Sequence, residues 1–257
     1  MKQAVLTTFN TLLVIVLFIT ISQGEEADYY DWKGLKSYAA KDYSDSIIYF
    51  DMSIKQDPGY IDAWIHKADA QRSLKDYNGS IDTYKKALQI DSQSKAAWSG
   101  LIEAYAALDI YSLAAEAAQN LRQIDPTRKD YWLREGNMRQ MQGDYQAALQ
   151  SYQGALEIDS QYRDALYRKG ISLLALGQRQ EAEGIFDQVL DIDPGYRQAA
   201  NAKGVTVQSQ GEYEEAVELF ENASQMDPSW SQPRLNQVSC LISLQRMQEA
   251  MTAYAAI

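Results

Sequence analysis

One spacing governs this chain. Trp64, Trp98 and Trp132 stand 34 residues apart, and Pro58, Pro126, Pro194 and Pro228 are separated by multiples of 34. Asp57, Asp91, Asp125, Asp159, Asp193 and Asp227 fall on the same lattice, each followed by Pro or Ser. Counted from Ala27, the repeats are 27–60, 61–94, 95–128, 129–162, 163–196, 197–230 and an incomplete 231–257. A chain of this kind is confined to architectures in which one supersecondary unit stacks on copies of itself, because so short a unit buries its apolar face only against its neighbours.

Within a repeat the pattern predicts two amphipathic helices and a short turn. Apolar and small residues recur at spacings of three and four, as in Ala63, Trp64, Ala68 and Leu74, then Ile81, Tyr84, Ala87 and Leu88. The Asp-Pro or Asp-Ser step ends the second helix, since a residue before Pro is pushed out of the α region and Asp caps the next segment. Gly143, Gly177 and Gly211 mark the turn between the helices in three repeats. The twentieth place is always small (Ser46, Ser80, Ala114, Ala148, Ala182, Ala216, Ala250), which lets paired helices approach closely. The eighth place is Gly34, Ala68, Gly136, Gly170 and Gly204 in five repeats. The twenty-fourth holds Phe50, Tyr84, Tyr152, Phe186, Phe220 and Tyr254, large rings suited to filling the gap between hairpins.

These Trp, Gly-or-Ala, Ala, Phe-or-Tyr and Pro positions resemble those of the tetratricopeptide repeat (TPR) family, over residues 27–257. The resemblance implies an all-α solenoid of stacked antiparallel hairpins, about seven repeats in a right-handed superhelix, whose first helices line a concave groove that holds a peptide or partner domain. Repeat 3 departs from the pattern, with Ile102 where a small residue belongs and Ala118 where an aromatic belongs, as a local exchange of volume would produce. Repeat 1 has Ser46 and Ser53 at apolar places, as suits an exposed N-terminal edge. Repeat 7 stops at Ile257, inside its second helix, which leaves an uncapped apolar end for a partner or a homo-oligomer, or marks a truncated sequence.

Residues 1–24 read separately from the solenoid of 25–257. They carry Lys2 as their only charge and the run Leu12-Leu13-Val14-Ile15-Val16-Leu17-Phe18-Ile19-Thr20-Ile21. So short a run suits a signal peptide cleaved after Ser22-Gln23-Gly24; the weakly apolar stretch 4–21 is alternatively an uncleaved membrane anchor. Either way the repeats are expected to be exported, because Lys2 stays on the cytoplasmic side while Glu25, Glu26 and Asp28 come after the run.

Composition narrows the chemistry. A single cysteine, Cys240, excludes an internal disulfide framework and a thiolate zinc site, and His66 is the only histidine. Cys240 is read as a small hydrophobe inside a helix, and His66 as a partly exposed residue on a polar face. A formal net charge of -11 opposes binding to phosphate backbones, so nucleic acid is not expected as a partner. No nucleophile elbow, phosphate loop or His-Glu-x-x-His helix occurs, so neither catalysis nor a cofactor or metal is expected. Asp191 and Asp193 lie on an inter-repeat turn and lack the later ligands of a calcium loop. The sequons at Asn78 and Asn222 place their Ser residues at or beside core positions.

Groove residues are assigned through the resemblance, which points the second, fifth, ninth and twelfth places of each first helix into the concavity. The polar candidates are Asp62, Asp69, Arg72, Glu103, Asp130, Asn137, Gln140, Tyr167, Asn201 and Gln208. Ser99, Asp164, Ile65, Leu133, Ile171, Leu174 and Val205 share these places, several of them equally suited to packing between helices. This lining is acidic at one end and amide-to-apolar at the other, which suits a peptide with basic and apolar residues. The clamp that grips chaperone C-termini needs a lysine at a fifth place, and none of Asp31, Ile65, Ser99, Leu133, Tyr167 and Asn201 is one. The expected function is therefore an exported, non-catalytic scaffold. The alternatives are a substrate-recruiting domain of an envelope enzyme complex with chemistry on another domain or chain, and, less suited to these residues, a cation-binding ridge.

Overall fold

The structure, a computed structural model, describes residues 24–257, so the predicted signal or anchor segment lies outside the described residues. Among them there are helices and turns and no strand. Two compact units, divided between Ile124 and Asp125, are each built from stacked hairpins. The N-terminal unit holds α1 (24–39), α2 (Tyr43–Gln56), α3 (Ile61–Ser73), α4 (Tyr77–Ile90), α5 (Lys95–Ala107) and α6 (Tyr111–Ile124). The C-terminal unit holds α7 (Lys129–Gln142), α8 (Tyr145–Ile158), α9 (Arg163–Ala175), α10 (Arg179–Ile192), α11 (Arg197–Gln210), α12 (Tyr213–Met226), α13 (Ser231–Ser243) and α14 (Met247–Ala255).

The helix ends explain the lattice. Each described repeat places a left-handed residue at its fifteenth position, between the paired helices: Lys41, Lys75, Asp109, Gly143, Gly177, Gly211 and Gln245. Glycine occupies the position in three repeats; in the other four a residue with a side chain accepts the same conformation. Asp42, Asp76 and Asp144 then cap the second helix by accepting from Asp45 N, Gly79 N and Ala147 N. At the far end, the lattice Asp is extended and terminates the helix, and its carboxylate turns back to accept from the backbone two residues on, as Asp57 does from Gly59 N at 2.8 Å and Asp91 from Gln93 N at 2.8 Å.

Each hairpin packs on the next through its second helix. In the C-terminal unit α8 meets α9, α10 meets α11 and α12 meets α13, while the first helices also touch in the series α7, α9, α11, α13. The N-terminal unit repeats this with α2 on α3, α4 on α5, and α3 touching α5. First helices in contact with one another, and second helices held apart by them, put the first helices on the inner side of each stack. The rings at place 24 are fully buried in Phe50, Tyr84, Tyr152, Phe186 and Phe220. A Cβ added to Gly136 would lie 2.4 Å from the Tyr152 ring, which explains the glycine at place 8. In repeat 2 that place is Ala68, and the missing Cβ that admits Tyr84 belongs instead to Gly100 of the following helix, 2.2 Å from the ring.

Repeat 1 corrects the reading of Ser46 and Ser53 as marks of an exposed edge. Both are fully buried, because each hydroxyl donates to a backbone carbonyl, Ser46 to Tyr43 O at 2.7 Å and Ser53 to Ala27 O at 2.8 Å. Ile102 and Ala118 are both buried in repeat 3. Cys240 is buried in α13, and burial pushes its thiol up to about 11. Ser80 and Ser224 of the two sequons are buried as well, while Asn78 and Asn222 are exposed.

Outer ties run along the inter-repeat turns of the C-terminal unit. Lys129, Arg163 and Arg197 open the first helices, and each pairs with the lattice Asp that closes its own repeat, Asp159, Asp193 and Asp227. Each cation also lies over the aromatic that ends the repeat: Lys129 at 4.3 Å from the Tyr162 ring, Arg163 at 4.6 Å from Tyr196 and Arg197 at 5.9 Å from Trp230.

Candidate functional site

In the N-terminal unit the inner face gathers three of the predicted residues into one network. Asp69 and Arg72 lie a turn apart on α3 and form an ion pair at 3.1 Å, and Arg72 crosses to Glu103 on α5 at 2.6 Å. The Tyr84 hydroxyl, delivered through the hairpin from α4, donates to Asp69 Oδ1. Burial raises the Tyr84 phenol well above its ordinary range and the Asp69 charge adds to it, so it remains a neutral donor at any physiological pH. Burial opposes the charge of Arg72, but the Tyr84 bond and the carboxylates of Asp69 and Glu103 outweigh it and keep the guanidinium protonated. Two carboxylates share one cation, Asp62 adds an exposed charge at the head of α3, and the face is net negative. Such a surface favours an ammonium or guanidinium group.

The C-terminal unit uses the same device with uncharged groups. Asn137 and Gln140 on α7 occupy the places of Asp69 and Arg72, and their side-chain oxygens both accept from the Tyr152 hydroxyl, at 3.1 and 2.9 Å. That bond fixes the amide planes and leaves the NH2 groups unengaged by the tyrosine, as donors to a peptide carbonyl. Asn201 on α11 accepts from Asn236 on α13 at 3.2 Å, a tie between neighbouring first helices on the same face. Gln208 stands two turns further along α11, half-buried.

Two predicted residues sit differently. Asp130 is drawn to the turn side, where it accepts from the Tyr162 hydroxyl at 2.9 Å, apart from Asn137 and Gln140. Tyr167 is half-buried, with its ring centroid 5.3 Å from Tyr196 and 6.2 Å from Phe186, and burial raises its phenol. It is a wall of the face as much as a contact. Of the apolar companions, Ile65 is buried between helices and Val205 is exposed.

The pair that sequence reasoning missed is His66 with Asp31. The two are 35 residues apart, on α3 and α1, with Nδ1 and Oδ1 at 2.8 Å; Asp31 is buried and the imidazole lies beside the Phe50 ring. The offset of 35 also joins Asn201 to Asn236, so a search for polar pairs one residue off the repeat would have found both. Among the described residues no cluster of three or more His, Cys, Asp or Glu is arranged to hold a metal ion.

Sequence profiles of the tetratricopeptide repeat match residues 61–94, 140–204 and 201–257. No curated protein matches the chain. Among solved structures, YrrB, described as a TPR protein with an unusual peptide-binding site, is similar with a TM-score of 0.58 and 24% identity, covering 70% of this chain and 93% of its own. A MamA structure is similar with a TM-score of 0.58 and 25% identity, over 63% and 94%. A tetratricopeptide repeat protein from Parabacteroides merdae shares the fold at a TM-score of 0.69 with 14% identity, over 90% of this chain and 92% of its own.

Proposed function

Because the chain is an all-α tetratricopeptide-repeat protein, we propose that it acts as a non-catalytic scaffold that holds a peptide or a protein segment against the inner faces of its first helices. The observation that carries this reading is the repeated use of a buried tyrosine to present polar groups: Tyr84 fixes Asp69 beside Arg72, and Tyr152 fixes Asn137 and Gln140. Side chains whose rotamers are already held lose less entropy when a ligand docks. The peptide-binding site described for YrrB supports the same use of the fold. The acidic face of the N-terminal unit suits a ligand segment that offers basic side chains, and the amide face of the C-terminal unit suits one that offers backbone carbonyls.

In this reading the segment 4–21 is a signal peptide or anchor and the repeats work outside the cytoplasmic membrane, which places the partner in the envelope or at the cell surface. Recruitment of a substrate for an enzyme on another chain uses the same face and differs only in what the captured protein is. Affinity capture from envelope extract tests it, run beside a variant carrying Asp69→Lys, Asn137→Ala and Asn201→Ala. Enrichment of one envelope protein that the variant loses is the expected result. Equal capture by both proteins would move the site off the inner faces.

A further inference from the structure

The third and tenth places of the first helices are fully buried, and in most repeats small, wherever a hairpin precedes them within a unit: Ala63 and Ala70, Ala97 and Ala104, Ala165 and Ser172, Ala199 and Thr206, and Pro233 and Cys240. In repeat 1 the same places carry Tyr29 and Lys36. Tyr29 is 50% exposed, where the equivalent Ala63, Ala97 and Ala165 show nothing to solvent, and Trp32 beside it is 57% exposed. This edge therefore differs in composition from the small, buried places of the repeats stacked behind it.

What it presents is a different surface. The Tyr29 and Trp32 rings stack at 6.3 Å; Lys33 Nζ lies 4.9 Å from the Tyr29 ring and 5.3 Å from Tyr49 on α2, and Lys36 Nζ lies 5.7 Å from Trp32. Exposed amphipathic rings with lysines drawn along them are the composition of a membrane–water interface, where the ring bodies sit among headgroups and the ammonium groups reach phosphate. The strongly apolar run ends at Ile21, eight residues before Tyr29 and eleven before Trp32. Glu25 and Glu26 open the same helix, so the aromatic rings rather than attraction to anionic lipid supply the main affinity.

We propose that the outward face of α1, with Tyr29, Trp32, Lys33 and Lys36, seats on the lipid headgroup layer and lays the first repeat against the bilayer. The proposal rests on the reading of residues 4–21 as a retained anchor. The test uses the full chain reconstituted with phosphatidylcholine vesicles, plain or carrying brominated acyl chains that quench indole emission on contact. The expected result is flotation with the vesicles and a loss of emission on brominated lipid that Trp32→Phe removes and Trp64→Phe, on α3, retains. The same loss with phosphatidylglycerol added is expected, because the aromatic rings dominate. Flotation with no loss assignable to Trp32 overturns the seat and leaves the anchor standing. A chain that does not float overturns both.

Discussion

At the scale of single residues, two buried polar groups behave oppositely. Ser172 occupies the tenth place of α9, fully buried, and its hydroxyl finds no partner among the described residues, whereas Thr206 at the same place of α11 donates to Ala202 O at 2.8 Å. An orphaned hydroxyl costs about 1–3 kcal/mol, and alanine already fills this place in α3 and α5. Ser172→Ala is therefore expected to raise stability by about 1 kcal/mol, read as a higher urea midpoint at unchanged slope. His66 is the reverse case. Burial alone would lower its pKa, but the bond to Asp31 and the charges of Asp31, Asp62 and Asp69 outweigh it, and the folded value lies above the ordinary one. A raised histidine contributes fully below its unfolded pKa of about 6.5 and loses that contribution as pH rises through the folded value. The stability difference between the wild-type protein and His66→Gln is thus expected to be largest in mild acid and to shrink through neutrality, and denaturation series across that range would show it. Neither residue announced this in the sequence. The lattice gave their places, but pairing depends on which neighbour the packed first helices bring within 3 Å, and one residue of offset decides it.

At the scale of elements, the turns and the volume lattice carry the local predictions. Lys75 holds a φ of 64 at the position where Gly177 holds 78. For a residue with a Cβ that region costs about 1–2 kcal/mol, and glycine's added chain entropy offsets about half of the gain from removing it. Lys75→Gly is expected to stabilise by up to about 1 kcal/mol, and Gly177→Ala to destabilise by a similar amount, both read from thermal melts. Repeat 3 tests packing. Ala118 replaces a buried ring and Ile102 a glycine, so Ala118→Phe is expected to overpack by about 1–3 kcal/mol and Ile102→Gly to restore part of the loss in the same chain. A double-mutant cycle without coupling would show that the two volumes are unrelated. Helix number and boundaries were legible because Trp, Gly, aromatic and Asp-Pro positions repeat without slippage. The serines of repeat 1 were not, because a buried hydroxyl with a carbonyl in reach and an exposed one look alike in sequence.

At the scale of the whole molecule, the proposed function rests on what each unit presents. The N-terminal unit offers carboxylates around Arg72, and the C-terminal unit offers amides held by Tyr152 and Asn236. Sequence placed most of these residues on one helix face, and the structure links them into networks; Asp130 strayed to the turn because Tyr162, which closes the repeat, captures its carboxylate. The resemblance supplied the orientation of the first helices, and only the packed hairpins supplied the tyrosines that hold the side chains. Hydrogen exchange of the protein with a bound peptide, selected from a displayed library for affinity, tests the scaffold reading most directly. Protection concentrated on first helices, α3 and α5 in the N-terminal unit or α7 and α11 in the C-terminal unit, and abolished with binding in Asp69→Lys plus Asn137→Ala, is the predicted result. Protection confined to second helices such as α4, α8 and α12, with the variant binding as tightly as the wild-type protein, would contradict it.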